Sequence, residues 1–251
     1  MVLRTFSPAR AWRPAVGTRL AQTVHVFVTG ATGYLGRHLL PKLVARGHRV
    51  AALVRPGSRW RFSEDCRVVV GEALDAPTFS PAIGAVDALV HLVGVAHPNP
   101  RKGAEFQEVD LASVRSVLAA AIENRVPHFI YVSVAQPAPV MHAYQAARAA
   151  GEALIRASGI DASILRPWYV LGPGHRWPML LAPCYALLAR LPSTRETAQR
   201  LALLNIDQMI AALVLAIEQP PVGVRVWDVS SMHTAGQRDR EAEGTPSSQR
   251  W

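Results

Sequence analysis

The chain has 251 residues and a net charge of +9. This length, with half of the residues hydrophobic, suits one α/β domain with a small appendage. No uninterrupted apolar run reaches the length of a membrane span. Two cysteines, Cys66 and Cys184, exclude a disulfide framework and a cysteine-rich metal site, and they favour a reducing compartment.

The positive charge is concentrated in the first quarter of the chain. Residues 1–63 hold eleven basic residues and no acid, whereas residues 64–251 hold sixteen basic and eighteen acidic residues. We expect residues 1–22 to be a disordered basic arm on a cytoplasmic protein; a mitochondrial presequence, which would direct the chain to the matrix, is the alternative. No nucleic-acid motif accompanies the basic residues, so nucleic acid is not an expected partner.

Strands alternate with helices between residues 23 and 233. The predicted strands are 23–29, 49–54, 67–70, 87–93, 128–133, 162–166 and 224–229, and the main predicted helices end near residues 46, 123, 157 and 218. This order predicts a Rossmann-type α/β fold, a doubly wound parallel sheet, with a small helical C-terminal cap. We expect the cap mainly at residues 173–205, Asp207 as the N-cap of the helix that follows, and a disordered tail at residues 234–251.

Three glycines follow the first strand at intervals of three residues. Gly30 permits a sharp turn, Gly33 lets a phosphate approach the backbone, and Gly36 lets the helix pack close to the strand. The start of the helix offers unpaired N–H groups and the positive end of a dipole, which together suit a pyrophosphate. The predicted dinucleotide-binding residues of this turn are Gly30, Thr32, Gly33, Tyr34, Leu35 and Gly36.

The Gly-x-x-Gly-x-x-Gly pattern after Val28-Thr29 resembles the extended and atypical short-chain dehydrogenase/reductase (SDR) superfamily. It is similar to the NAD(P)-dependent epimerase/dehydratase branch and to its relatives, which include NmrA-like proteins and the nucleotide-binding accessory subunit of respiratory complex I. The similarity continues, with gaps, from about Thr23 to about Val229. It implies NAD(P) as the cofactor and a small molecule as the substrate.

The end of the second strand carries the residues that select between NADP and NAD. NAD-preferring sites have an acid there that binds the ribose 2′-hydroxyl. This chain has Arg55, Ser58 and Arg59 instead, and arginine suits a 2′-phosphate through a forked, charge-assisted contact. We therefore expect NADP in preference to NAD, and a solvated surface arginine is the alternative reading of Arg55.

The resemblance implies three further cofactor contacts. Residues after the third strand correspond to the family's segment beside adenine, with a glutamate where an aspartate is usual. The end of the fourth strand corresponds to the segment that passes the ribose and diphosphate, and the Leu-Arg-Pro segment after the sixth strand corresponds to the one that meets the nicotinamide. The residues concerned are Glu72, Ala73 and Leu74, then Leu92, Val93 and Gly94, and finally Pro167 and Val170.

The resemblance also implies a catalytic set of Ser133, Tyr144 and Arg148. SDR enzymes use Ser, Tyr and Lys, with Tyr-x-x-x-Lys spacing that places the last two side chains on one helix face. The tyrosine transfers the proton, the lysine holds the ribose and relays protons, and the serine binds the substrate oxygen. Arg148 stands where lysine is expected, and its guanidinium keeps its charge but does not readily release a proton. We therefore expect Arg148 to hold the cofactor as the lysine does, but not to relay protons readily.

These residues predict an oxidoreductase or epimerase that acts by hydride transfer. Aromatic and aliphatic residues near the expected nicotinamide favour an apolar substrate; they are Trp168, Tyr169, Trp177, Leu180 and Leu181. The alternative is a non-catalytic NAD(P)H-binding protein that senses redox state or supports the assembly of a complex. An oligomer or a complex partner is compatible with either function. No metal site is predicted, and neither His91 nor His97 is a predicted catalytic residue.

Overall fold

The computed structural model of the chain describes residues 23–58, 62–95, 98–173, 197 and 200–244. These residues form nine strands: β1 (His25–Thr29), β2 (Arg49–Val54), β3 (Cys66–Val70), β4 (Ala88–His91), β5 (His128–Val132), β6 (Asp161–Leu165), β7 (Tyr169–Leu171), β8 (Leu203–Asn205) and β9 (Val224–Trp227). The α-helices are α1 (Tyr34–Ala45), α2 (Gly103–Glu105), α3 (Ala112–Glu123), α4 (His142–Ser158), α5 (Ile206–Glu218) and α6 (Val229–Gly244). A π-helix at Phe106–Leu111 joins α2 to α3, and short 3-10 helices lie at Ala76–Thr78, Ser80–Ala82 and Pro100–Lys102.

Seven strands form one parallel sheet in the order β3-β2-β1-β4-β5-β6-β9, and β7 pairs with β8 in a separate two-stranded parallel sheet. Strands β4 and β5 are buried along their whole length, as expected for parallel strands covered on both faces. The chain winds outward in opposite directions from β1 and β4, so the crevice for a ligand lies above their carboxyl ends. The predicted Rossmann-type fold is confirmed.

Helices cover both faces of this sheet. Successive side chains of β1 point to opposite faces, and each face packs against its own set of helices. Val28 packs in the cluster that includes residues of α1 and α5, such as Leu39 and Met209. Phe27 packs in the opposite cluster, which includes Val117 of α3. Two apolar layers therefore fix α1 and α4 relative to the strand ends that carry the predicted site residues.

The N-cap of α5 is Asn205, and the prediction of Asp207 is wrong. The Asn205 side chain accepts a hydrogen bond from Gln208 N at 2.8 Å, and the Gln208 side chain accepts one from Asn205 N at 2.9 Å. This reciprocal capping box begins the helix two residues before Asp207, which lies in its first turn.

The C-terminal segment is helical as far as Gly244, so the prediction of a disordered tail from residue 234 is wrong for residues 234–244. Asp228 Oδ1 accepts a hydrogen bond from Ser231 N at 2.7 Å at the start of α6. Met232 and Ala235 are buried in the core, although most of this segment is polar. Lys42 Nζ lies 3.0 Å from Asp239 Oδ2 and ties the helix to α1.

Several predicted features lie outside the described residues. They are the basic arm at 1–22, most of the cap at 173–205 and the last residues of the tail, together with Arg59, His97, Trp177, Leu180, Leu181 and Cys184. In the part of the chain that the structure describes, no helix combines the length and the apolar character needed to cross a membrane.

Candidate active site

A cleft of about 1020 Å³ opens at the carboxyl ends of the central strands. It brings together predicted residues from the glycine turn, from the end of β4, from β5 and α4, and from the segment after β6. The predicted residues that line it are Gly30, Gly33, Tyr34, Leu35, Leu92, Gly94, Ser133, Tyr144, Arg148, Pro167 and Val170. Thr32, Gly36 and Val93 adjoin these residues without lining the cleft themselves.

The glycine turn has the shape that a pyrophosphate needs. Gly30 adopts a positive φ of 75°, and Gly33 N donates a hydrogen bond to Gly30 O at 3.0 Å. Helix α1 begins at Tyr34, and its N-cap Gly33 provides no side chain to bind the first N–H groups. A Cβ on Gly36 would collide with Ala31 O, so only glycine lets α1 start this close to the turn. A helix N-terminus without a capping side chain suits an anion.

Tyr144 and Arg148 lie on the same face of α4. The Arg148 Cζ atom is 5.2 Å from the centroid of the Tyr144 ring, and that ring also packs against Phe106 at 5.0 Å. Tyr144 is half-buried at the mouth of the cleft, in the first turn of the helix. The i,i+4 spacing thus places a cation beside the phenol ring.

Arg148 is buried and forms an ion pair with Asp110, a residue that sequence reasoning missed. Arg148 Nη2 lies 2.5 Å from Asp110 Oδ1, and Arg148 Nη1 donates to Val132 O at 2.9 Å. Burial raises the pKa of Asp110, and the nearby guanidinium opposes this shift only in part. Burial lowers the pKa of Arg148, but Tyr144, Tyr131 and Asp110 outweigh it, so this pKa is raised. The sequence does contain a signal for Asp110, because Asp110 is an acidic residue on the otherwise apolar helix face that continues into α3.

Ser133 is buried at the end of β5, and its hydroxyl faces a second residue that sequence reasoning missed. Ser133 Oγ donates to Glu152 Oε1 at 2.6 Å, and Gln136 Nε2 donates to the same oxygen at 2.9 Å. Arg166 binds Glu152 through Nε at 2.9 Å and Nη2 at 2.5 Å. The signal here is spacing, because Glu152 follows Arg148 by one helical turn as Arg148 follows Tyr144.

Residues 30–174, more than half of the chain, match the model of the NAD(P)H-binding family. The chain belongs to this family.

A ceramide reductase from Caulobacter vibrioides is 29% identical over 201 residues, which cover 79% of this chain and 62% of the relative. The 4-hydroxy-2-methyl-3-oxo-4-farnesyl-3,4-dihydroquinoline-1-oxide ketoreductase of Stigmatella aurantiaca is 28% identical over 171 residues, 59% of this chain and 51% of the relative. The chain therefore spans about three fifths and about half of the length of these curated relatives.

The enzyme WbmH of Bordetella bronchiseptica, solved in complex with NAD+, has the same fold. It superposes with a TM-score of 0.63 at 20% identity, over 91% of this chain and 85% of that chain. Together with the family match, this structure confirms the resemblance to extended SDR proteins.

In this NAD(P)H-binding chain, the residues predicted at the adenine end lie at the ends of the outer strands. Arg55 is exposed after β2, and Ser58 N donates to Arg55 O at 3.1 Å in a turn. After β3, Glu72 N donates to Thr78 Oγ1 at 2.9 Å, and Leu74 is exposed. Among the described residues, the lining of the central cleft does not include Arg55, Ser58, Glu72, Ala73 or Leu74.

The outer wall of the cleft is largely apolar. The predicted aromatic residues Trp168 and Tyr169 line it, with their rings 5.4 Å apart in an edge-on arrangement. Lining residues that sequence reasoning missed are Arg37, His38, Val95, Pro98, Asn99, Val132, Val134, Met141 and Pro173. His91 lies in the core, where it contacts Thr29 Oγ1 at 2.8 Å, and it does not line this cleft.

Proposed function

We propose that the chain is an NADPH-dependent reductase that acts on the carbonyl group of an apolar substrate. The observation that carries this proposal is that one cleft is lined by the contacting pair Tyr144 and Arg148, by the glycine turn and by apolar residues. Membership of the NAD(P)H-binding family, and relatives named as a ceramide reductase and a ketoreductase, support the reaction type.

The residues of the cleft fit a dinucleotide. The first turn of α1 would hold the pyrophosphate, since its N-cap residue Gly33 provides no capping side chain and carries no Cβ in the path of a phosphate. Leu92 and Gly94 would pass the ribose, and Pro167 and Val170 would meet the nicotinamide. When bound, NADPH supplies the hydride that forms the new C–H bond at the carbonyl carbon.

Tyr144 completes the reduction by donating its phenolic proton to the carbonyl oxygen. The product is an alcohol, and Tyr144 is left as a phenolate beside the Arg148 charge, which stabilises it. Arg148 keeps its own proton, so water that reaches the half-buried Tyr144 returns the proton from solvent. Ser133 donates its hydroxyl hydrogen to Glu152, so toward the substrate Ser133 would act only as a hydrogen-bond acceptor.

The preference for NADPH over NADH belongs to the same proposal. The turn after β2 presents the exposed Arg55 where NAD-specific sites carry an acid. Arg55, Ser58 and Arg59 would bind the 2′-phosphate, while Glu72, Ala73 and Leu74 would flank the adenine. A guanidinium binds a phosphate by charge and by paired hydrogen bonds, which the 2′-hydroxyl of NADH cannot match.

A second candidate function is NAD(P)H binding without turnover. The observation that favours it is the ion pair of Arg148 with Asp110. Arg148 stands at the position of the lysine that relays protons in SDR enzymes, and here the charge at that position is bound to a carboxylate. A protein of this kind would sense the redox state of the nucleotide pool or support the assembly of a complex.

Titration and turnover separate the two candidates. Trp168 lines the cleft, so NADPH binding should quench tryptophan fluorescence, and NADPH should act at a lower concentration than NADH. NADPH consumption is then followed with long-chain ketones and, as the contrasting class, with nucleotide sugars. We expect turnover of the ketones. Saturable NADPH binding with no consumption on either panel contradicts the reductase and favours the second candidate.

A further inference from the structure

Arg148, which contacts the Tyr144 ring, forms a buried ion pair with Asp110. The side chains of Arg148 and Asp110 are 6% and 0% exposed. Removing two opposite charges from water generally costs about as much as their attraction returns, so a pair this deep is weak evidence for stability. Its location beside the phenol of the cleft points to a role in the site.

The Arg148 guanidinium sits in a slot between the ends of β4 and β5. Its Nη1 donates to Val132 O at 2.9 Å, and its Nη2 lies 3.5 Å from Val93 O. A Cβ on Gly94 would collide with Nη2, so the slot exists only because residue 94 is glycine. The arginine is therefore held by backbone groups as well as by the carboxylate.

Asp110 is itself fixed to the wall of the cleft. Its Oδ2 accepts a hydrogen bond from Val95 N at 3.0 Å, while its Oδ1 faces Arg148. The π-helix that carries Asp110 also carries Phe106, which packs on the Tyr144 ring. One segment thus sets the positions of both Arg148 and Tyr144.

We propose that Asp110 positions Arg148, and that this pairing makes arginine, in place of lysine, the cation that the site requires. The inference rests on the proposed function, because it assigns the pair to the reductase cleft. A planar guanidinium can bind Asp110 and Val132 O at the same time, whereas a lysine ammonium is a single point charge on a flexible stem. With Asp110 present, an ammonium at position 148 is drawn to the carboxylate and leaves the Tyr144 ring.

Four proteins test this proposal: the natural chain, Arg148→Lys, Asp110→Asn and the double variant. We expect each single change to lower kcat/KM by about tenfold or more. The double variant should recover several-fold relative to Arg148→Lys, because an asparagine amide does not capture the ammonium. A purely structural role would make activity follow Tm, so recovery of rate without recovery of Tm supports positioning. Equal or faster turnover by Arg148→Lys, or losses that simply add, overturn the proposal.

The same proteins keep the test separate from the proposed function. If the natural chain binds NADPH but reduces no ketone, the reductase proposal fails. The NADPH dissociation constants of the four proteins then test whether Asp110 positions Arg148. Weaker binding in both single variants with recovery in the double variant supports positioning, and additive or absent effects overturn it.

Gly94→Ala covers the case in which Asp110→Asn does not fold. The new Cβ would collide with Arg148 Nη2 and would lie only 3.0 Å from Asp110 Oδ1, so it separates the two partners, and NADPH binding should weaken as it does in Arg148→Lys. The matched control is Gly103→Ala, whose Cβ would have only the Ala143 Cβ near it, at 3.8 Å. Unchanged NADPH affinity in a folded Gly94→Ala variant contradicts the proposal.

Discussion

Ser133 Oγ donates its hydrogen to Glu152 Oε1 over 2.6 Å, which sets the direction of the serine hydroxyl before any substrate arrives. Glu152 also accepts hydrogen bonds from Arg166 Nε and Nη2, one at each of its two carboxyl oxygens. The hydrogen of the Ser133 hydroxyl is therefore not available to a ligand in the cleft. In the proposed reduction, Ser133 can therefore act only as an acceptor, and the proton for the carbonyl oxygen comes from Tyr144.

Glu152→Gln should destabilise the fold and slow turnover. The change leaves the partly buried Arg166 without its charge partner, and we expect a loss of about 2 kcal/mol in the free energy of unfolding. The control is Arg156→Ala, because Arg156 is largely exposed and lies 3.9 Å from the same carboxylate. That control should change stability by less than about 1 kcal/mol. Urea unfolding measures both, and equal losses in the two variants contradict the prediction.

Tyr144→Phe should abolish reduction and spare NADPH binding. It removes the proposed proton donor but keeps the ring that packs on Phe106, so we expect a loss of about 10²- to 10⁴-fold in kcat. Tyr169→Phe is the matched control, as Tyr169 also lines the cleft, and it should retain most of the activity. Full activity in Tyr144→Phe rules this residue out as the donor.

Arg55→Ala should weaken NADPH binding by about tenfold and leave NADH binding unchanged, because only NADPH carries the 2′-phosphate that a guanidinium binds. Arg49→Ala provides the control. Arg49 is exposed at the opposite end of β2, so its removal changes the net charge by the same amount without touching the cofactor end. Fluorescence titrations with both nucleotides measure the effect. An equal loss in the two variants would mean that Arg55 acts through general charge alone.

Gly36→Ala should destabilise the protein and weaken binding of both nucleotides. The added Cβ would collide with Ala31 O, so α1 must move away from the glycine turn, at a cost of about 2 kcal/mol. Gly103→Ala, whose added Cβ would make only an ordinary van der Waals contact, is expected to leave both properties unchanged. Thermal unfolding and NADPH titration test the pair. If Gly36→Ala binds NADPH normally, the glycine turn is not the pyrophosphate site.

Two buried histidines predict a loss of stability in acid. Burial, with a smaller contribution from Arg148, lowers the pKa of His91 from 6.5 to about 3, and burial lowers that of His128 to about 4. The unfolded chain takes up these protons as the pH falls below about 6.5 and the folded chain does not, so stability present above that pH is lost towards pH 3–4. At about pH 5 each histidine should cost about 2 kcal/mol relative to neutral pH.

Urea unfolding at neutral pH and near pH 5 measures this loss. His91→Asn removes the contribution of His91, so the difference between the two pH values should shrink by about 2 kcal/mol. His142→Asn is the control, because His142 is exposed and the change should leave the difference as it is. A natural chain with the same stability at both pH values contradicts the prediction.

Local patterns predicted the fold and much of the lining of the cleft. The glycine spacing, the apolar β4 and the Tyr144–Arg148 spacing are properties of short segments, and the structure brings these segments to one edge of the sheet. The partners of the site could not be predicted in the same way. Asp110 reaches Arg148, and Glu152 reaches Ser133, only after separate elements have packed together. The α6 helix was missed because its polar composition hides the few buried residues that hold it.

The π-helix at Phe106–Leu111 limits how the length of this chain can change. A π-turn holds one more residue than an α-turn, and successive residues of a helix are separated by about 100° of rotation. Deleting one residue here would restore an ordinary α-helix and swing Asp110 to a different face, away from Arg148. Homologous chains with a shorter segment at this place should therefore lack the paired arginine, which offers a simple criterion for dividing the family into two groups.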